Sequence, residues 1–134
     1  MANALYTFGR EGFLDGSIDW DTNTISMIFT DHGADTPVVA TDDNFDDISA
    51  GNIGTKTNLA GKTVTGGVAD ANDTTMTTVS GNQFESVNIF KDTGTDSTSR
   101  LIAYIDTATG LACTPNGGDI TVAWDSGANK IFKL

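Results

Sequence analysis

Few side chains in this chain could do chemistry. His32 is the only histidine and Cys113 is the only cysteine. A Ser-His-Asp arrangement is possible by count alone, but no nucleophile elbow or similar local motif accompanies His32. A lone cysteine forms neither an intramolecular disulfide nor a multi-cysteine metal site. We therefore predict a surface-loop position for His32, a structural buried thiol at Cys113, and no enzymatic activity.

Carboxylates are the other candidates. Neighbouring aspartates occur three times: Asp19 with Asp21, Asp42 with Asp43, and Asp46 with Asp47. Glycoside hydrolysis needs two carboxyl groups that face each other across a cleft, which spacing along the chain does not show. Asp19-x-Asp21-x-Asn23 has the spacing of calcium ligands, but an EF-hand needs glycine and glutamate where this chain has Thr24 and Thr30. We predict a solvated acidic surface, with no metal and no cofactor.

The charge balance limits the partners of the protein. Lys and Arg number 7 and Asp and Glu number 18, which gives a formal net charge of −11. Such a chain repels phosphate backbones and anionic membrane surfaces, so we expect neither nucleic acid nor membrane as a partner. The first residues resemble no secretory signal, and the longest apolar runs are far shorter than the roughly 20 residues that span a bilayer. We expect synthesis in the cytoplasm.

Short apolar runs bounded by turn residues indicate that β-strands position these side chains. The clearest runs are residues 24–31, 87–90, 101–105, 120–124 and 131–134. The run 101–105 is apolar on both faces, which predicts a strand covered on both sides. We predict one domain over residues 1–134. It has a helical segment over 1–17 and an all-β, antiparallel β-sandwich of jelly-roll or Greek-key type over 18–134.

Weaker patterns give further predictions. A helix is predicted over residues 2–15. It contains Gly9 and Gly12, each of which costs about 1 kcal/mol of helix stability relative to alanine, so the helix needs support from the rest of the protein or from a neighbour. Residues 41–48 suit one helical turn capped by Thr41 or Asp42. The remaining predictions are strands at 37–40, 55–59, 62–66 and 74–79 and a turn at 49–54.

Several sequence motifs together suggest a family. They are MANALY at residues 1–6, FLDGSIDW at 13–20, TVTGGVADA at 63–71, FKDTG at 90–94, RLIAYID at 100–106, TPNGGDITV at 114–122 and WDSGANKIF at 124–132. With these motifs the chain resembles small virion structural proteins of tailed bacteriophages. The resemblance implies a capsid decoration (cement) protein on the outside of the virion, without catalytic residues. It implies the major capsid protein and the chain itself, as a homotrimer, as partners.

The predicted contact regions are the N-terminal segment and the acidic run over residues 42–47. Their residues are Leu5, Phe8, Phe13, Trp20, Asp42, Asp43, Asp46 and Asp47. The alternative is a head-fibre or tail component that binds a glycan or receptor through Trp20, Tyr104 or Trp124, although the alternation around Trp124 favours core packing. The N-terminal segment is chosen because its apolar residues lie on a glycine-weakened helix, and the acidic run because no motif explains it.

Overall fold

The computed structural model describes residues 2–134, and its centre is an antiparallel sheet of five strands. The elements in chain order are β1 (Ala4–Leu5), α1 (Thr7–Asp15), β2 (Ile25–Thr30), β3 (Asn52–Asn58), β4 (Val68–Ala69), β5 (Thr74–Met76), β6 (Ser86–Lys91), β7 (Leu101–Ile105), β8 (Ile120–Val122) and β9 (Phe132–Lys133). The sheet order is β1-β7-β6-β2-β3, and the pairs β4-β9 and β5-β8 form separate ribbons. Short 3-10 helices span Phe45–Gly51, Thr65–Gly67 and Asp96–Thr98.

The register assigns each strand residue to one of two faces, because residues paired across antiparallel strands share a face. Phe29 pairs with Val87, and Val87 pairs with Ile105, so these side chains lie on what we call the first face. Thr30 pairs with Ser86 on the opposite, second face. The whole of β2 is buried, which shows that both faces of the sheet are covered.

Helix α1 and the 3-10 helix Phe45–Gly51 pack against the second face of the sheet. The backbone N–H of Tyr6 donates to the Ile102 carbonyl at 2.9 Å. Gly9 lies so close to β7 that an added Cβ would stand 2.7 Å from the Leu101 carbonyl oxygen. Phe45 packs on Phe90 with 4.5 Å between the ring centroids. Glycine therefore permits the close contact between helix and sheet.

A polar network is buried within the apolar core. Asn88 is fully buried and accepts a hydrogen bond from the Tyr6 hydroxyl at 2.6 Å. Its amide nitrogen donates to the hydroxyls of Thr30 at 2.9 Å and Ser86 at 3.0 Å. Burial raises the pKa of Tyr6 well above its usual range, which keeps its hydroxyl protonated as a donor. Every buried side-chain polar atom in residues 2–134 has a partner, so the network is fully satisfied.

The structure confirms a mainly β, antiparallel fold. The strands predicted at residues 24–31, 87–90 and 101–105 are β2, β6 and β7. Leu101 through Tyr104 are at most 3% exposed, which confirms that β7 is covered on both sides. The runs at 120–124 and 131–134 contain the shorter strands β8 and β9, and the run at 74–79 contains β5.

The prediction for the N-terminal segment is partly wrong. The helix begins at Thr7, because Ala4 and Leu5 pair with Tyr104 and Ala103 as a strand at the edge of the sheet. Gly9 and Gly12 are the buried residues of α1. They are therefore positions at which the helix contacts the rest of the protein, as well as weak helix formers. Met1, the first residue of the predicted segment 1–17, lies outside the described residues.

Several predictions for residues 32–67 are wrong in whole or in part. His32 lies in a turn, as predicted, but it is half-buried rather than exposed, because its ring stacks on Tyr104 and its Nε2 lies 2.9 Å from the Ser86 hydroxyl. Residues 49–54, predicted as a turn, form the end of the 3-10 helix and the start of β3. Pairing of β3 with β2 outweighs the preference of its glycine for a turn. Residues 62–66 form only a bridge between Thr63 and Asp70 before a 3-10 helix, and residues 37–40 form no strand.

Candidate binding surfaces

An apolar cleft of about 920 Å³ is lined by the first face of the sheet and by the C-terminal segment. The sheet contributes Leu5, Phe29, Val87 and Ile105, and the opposite wall comes from β8, β9 and the residues beside them. The side chains of that wall are half-buried: Ile120, Val122, Trp124, Ile131 and Phe132. The alternating apolar pattern of residues 120–124 was the sequence signal for this wall. The half-burial of this wall depends on how the C-terminal segment packs on the sheet, which the sequence did not show.

The chemistry of the cleft suits binding. Its charged lining residues are Asp125, Lys130 and Lys133, and Lys130 already pairs with Asp70 at 3.1 Å. Cys113 lines the cleft and is half-buried, whereas the sequence predicted a buried thiol. Apolar walls with a few polar groups at the edge are typical of surfaces that hold another apolar group.

The acidic run at residues 42–47, here called the acidic loop, is held rigidly. Phe45 and Ile48 are fully buried and anchor it. The Asp42 carboxylate accepts the backbone N–H of Val38 at 2.7 Å, and the Asp47 carboxylate accepts that of Asp43 at 2.9 Å. The 3-10 helix is capped by Asn44, whereas the sequence predicted Thr41 or Asp42. Asn44 provides the cap because it can bond the Asp47 backbone while Asp47 bonds back, as in a capping box.

The loop concentrates negative charge. Burial raises the pKa of the Asp42 carboxyl, and the neighbouring carboxylates of Asp47, Asp35 and Asp43 raise it further, against the opposing hydrogen bond from Val38. The two ion pairs between residues of the described part are Lys56–Asp96 and Lys130–Asp70, so no carboxylate of the loop takes part in either. The excess charge is therefore available to a basic partner.

We expect Asp42→Asn to stabilise the free protein at neutral pH. The pKa of Asp42 is raised in the folded state above its ordinary unfolded value of about 3.9, so the charged form destabilises the fold at any pH above both pKa values. The penalty falls as the pH drops through the folded pKa and is gone below both. Thermal melts across a pH series should show a Tm about 1–3 °C higher for the variant at neutral pH and no difference in acid. An equal or lower Tm at neutral pH would contradict this.

The apolar residues predicted as contacts differ in their exposure. Trp20 is only 3% exposed, and its indole N–H donates to the Asp70 carbonyl at 3.1 Å. Phe132 packs against both Trp20 and Phe13, with ring centroids 5.2 and 5.6 Å away, so Trp20 helps to hold α1 in place. Phe8 is half-buried under the Arg100 guanidinium, and Leu5 lines the cleft. The structure does not bring these four side chains into one patch with the acidic loop.

The aromatic residues considered for glycan stacking are separated as well. Tyr104 is 1% exposed, and its hydroxyl donates to Asp106 at 3.1 Å. Trp20 is also buried. Trp124 alone of the three is half-buried, on the wall of the cleft, where its indole N–H donates to the Asn72 carbonyl at 3.0 Å. A stacking platform would therefore rest on Trp124.

A feature that the sequence reasoning missed is an apolar patch around a second, smaller pocket. Leu14 is 89% exposed, Leu134 is 64% exposed and Val64 is 48% exposed. Val64 and Leu134 line the pocket with Phe13 and Phe132. Leu14 directly follows Phe13 in α1 but is not among the residues that line the pocket. The position of Leu14 away from the apolar face of α1 was the available signal.

No protein-family model matches the chain, and a search of curated proteins finds no similar sequence. In residues 2–134, no helix has the length and apolar character needed to cross a bilayer. Within the same residues, no three acidic, histidine or cysteine side chains are grouped so that they could hold a metal ion.

Proposed function

We propose that this protein is a non-enzymatic structural protein of a tailed bacteriophage. In this proposal it is a decoration (cement) protein that binds the outside of the major capsid protein lattice as a homotrimer and stabilises the head. The observation that carries the proposal is the rigid acidic loop, in which Asp42 is crowded by the carboxylates of Asp35, Asp43 and Asp47. A loop fixed by Phe45 and Ile48 loses little entropy when it binds.

The physical properties of the chain support this role. A net charge of −11 keeps the free protein soluble and steers it towards basic surfaces. On a symmetric lattice, several modest contacts made at once give strong retention. A cement protein needs binding surfaces and stability rather than an activated nucleophile. The apolar cleft and the acidic loop are surfaces of that kind.

The finer fold is part of the proposal. Ile120, Val122 and Trp124 on the ribbon side line the same cleft as Leu5 and Val87 of the sheet. We propose that the sheet and the two ribbons form a β-sandwich of jelly-roll or Greek-key type. Its second layer is short and incomplete, which leaves the cleft between the layers.

The binding test compares two matched double variants. In Asp43→Asn with Asp46→Asn, two charges are removed from the loop, while the hydrogen bonds made by the side chains of Asp42 and Asp47 remain. Co-sedimentation with capsids that lack this protein should show about five- to tenfold weaker binding, since an exposed charge pair contributes up to about 1 kcal/mol. Added salt should weaken the binding of the wild-type protein more than that of the variant.

The control variant removes the same amount of charge elsewhere. Asp92→Asn with Asp119→Asn keeps the side-chain oxygens that accept the backbone N–H groups of Gly94 and Thr78. It should bind capsids as the wild type does. Equal binding by both variants would reject the acidic loop as the contact, and no binding of the wild type would reject the proposed function.

The head-fibre or tail alternative remains the second proposal. It rests on the half-buried Trp124 beside the cleft. In that role a sugar that stacks on the indole should change the tryptophan fluorescence of the wild type. A fluorescence that no glycan changes would argue for the decoration role.

A further inference from the structure

We propose that the apolar cleft binds an anionic amphiphile, that is, a small molecule with one aliphatic chain and one carboxylate. The aliphatic chain lies against the apolar walls, and the carboxylate lies beside the ammonium of Lys133. This activity goes beyond the proposed function, because no residue of the acidic loop lines the cleft. Three observations lead to it: the size of the cleft, the nature of its walls and its charge.

The first observation is the size of the cleft. Its volume of about 920 Å³ is within the roughly 300–1,000 Å³ of sites that hold small molecules. The lining comes from β1, β2, β6 and β7 of the sheet and from β8 and β9 of the ribbons. A site built from both the sheet and the ribbons contacts a ligand with more than one surface, as small-molecule sites do.

The second observation is that the accessible walls are largely aliphatic. Of the aromatic residues in the lining, Phe29, Phe84 and Tyr104 are at most 2% exposed and offer no open ring face to a ligand. The rings of Trp124 and Phe132 are half-buried. A flexible aliphatic chain suits such walls, since it gains free energy in proportion to the apolar area that it removes from water. The aliphatic lining residues include Leu5, Val87, Ile105, Ile120, Val122 and Ile131.

The third observation is the charge of the cleft. The chain as a whole has 7 Lys and Arg against 18 Asp and Glu, but the charged residues of the lining are Lys130, Lys133 and Asp125. The ammonium of Lys130 binds Asp70 at 3.1 Å, and one oxygen of Asp125 accepts the backbone N–H of Gly127 at 3.1 Å. The lining therefore reverses the acidic balance of the chain, which favours an anionic ligand over a cationic one.

Lys133 is the cation that a ligand can pair with. Side chains alternate between the two sides of a strand, and Phe132 and Leu134 line the second, smaller pocket. The side chain of Lys133 therefore points to the other side of β9, where this residue lines the cleft. Its ammonium has no hydrogen bond or ion pair with any of residues 2–134. A carboxylate beside it gains a charge-assisted hydrogen bond, which is stronger than a neutral one.

Tryptophan fluorescence with three ligands of equal chain length tests this inference. The ligands are dodecanoate, dodecanol and dodecyltrimethylammonium, each below the concentration at which it forms micelles. Because Trp124 lines the cleft and Trp20 is 3% exposed, dodecanoate should change the emission through Trp124. Dodecanoate should bind about tenfold more tightly than dodecanol, and the cationic ligand more weakly than either. Absence of dodecanoate binding, or binding of either other ligand as tightly as dodecanoate, would overturn the inference.

Two matched variants test the role of Lys133. Lys133→Gln should weaken the binding of dodecanoate about tenfold and leave that of dodecanol unchanged, because only dodecanoate uses the charge. Arg10→Gln removes the same charge from an exposed residue of α1 that does not line the cleft, and it should leave both affinities unchanged. Both substituted side chains are exposed, so the circular dichroism spectra should match that of the wild type. Equal losses in the two variants would contradict a contact between the carboxylate and Lys133.

The thiol of Cys113 reports where the ligand binds. Cys113 lines the cleft, is half-buried and is the only cysteine of the chain. Saturating dodecanoate should slow the reaction of this thiol with iodoacetamide several-fold, because a covered thiol is less accessible to the reagent. A rate that dodecanoate leaves unchanged would place the ligand outside the cleft and would overturn the inference.

Discussion

Gly9→Val is expected to destabilise the protein by about 3 kcal/mol or more, because helix α1 would no longer fit against β7. A Cβ at this position would stand 2.7 Å from the Leu101 carbonyl oxygen and 2.9 Å from the Ile102 Cα, closer than real contacts allow. Both atoms belong to the backbone of a buried strand, which has no freedom to move aside. Overpacking a tight contact costs about 1–3 kcal/mol, and valine adds two further carbons. Chemical denaturation followed by circular dichroism measures the loss.

Gly12→Ala is the matched control within the same helix. The added Cβ would meet the Ile18 Cδ1 and Cγ1 atoms at 2.5 and 2.7 Å, and both belong to a side chain that can turn, whereas the atoms that Gly9 faces belong to the backbone. The better helix propensity of alanine, worth about 1 kcal/mol, offsets part of that cost. We expect a loss much smaller than that of Gly9→Val. Equal losses at the two positions would show that the approach of Gly9 to β7 is not the cause.

Asn88→Leu is expected to cost about 2–4 kcal/mol and to lower Tm by roughly 10 °C, although leucine is similar in size and more apolar. The fully buried Tyr6 hydroxyl would lose its acceptor at 2.6 Å. The hydroxyl of Thr30 would lose its donor. A buried polar group without a partner keeps its full desolvation penalty of about 1–3 kcal/mol. Thermal and denaturant unfolding of the variant measure the effect.

A double-mutant cycle with Tyr6→Phe isolates the cause. Tyr6→Phe removes the hydroxyl that Asn88→Leu leaves without an acceptor. The double variant should therefore be more stable than the sum of the two single losses predicts, with a coupling energy of about 1 kcal/mol or more. Strict additivity would mean that the Tyr6–Asn88 hydrogen bond does not carry the loss.

The sequence predicted the central strands because their signals are local. The alternation of β2, β6 and β7 follows from side chains that point to opposite faces of a sheet. The roles of Gly9 and Asn88 depend on contacts between distant parts of the chain, such as the one between Tyr6 and Asn88. Propensity therefore treats Gly9 only as a weak helix residue, although its lack of a side chain is what lets α1 approach the sheet.

The candidate surfaces could be predicted only in part. The acidic loop is visible as a charge run, but the crowding around Asp42 involves Asp35, which precedes the run. Trp20 was a contact candidate because tryptophan is frequent in interfaces, yet its burial against Phe132 depends on how the C-terminal segment folds back. The small apolar pocket beside α1 could not be predicted, because its lining comes from four separate parts of the chain.

Cryo-electron microscopy of capsids that lack this protein, imaged before and after its addition, tests the proposed function most directly. We predict additional density on the outside of the shell, seated on the major capsid protein with the acidic loop towards it. The same density should be weak or absent with the Asp43→Asn and Asp46→Asn variant. Shells that stay unchanged after addition of the folded wild-type protein would contradict the decoration role.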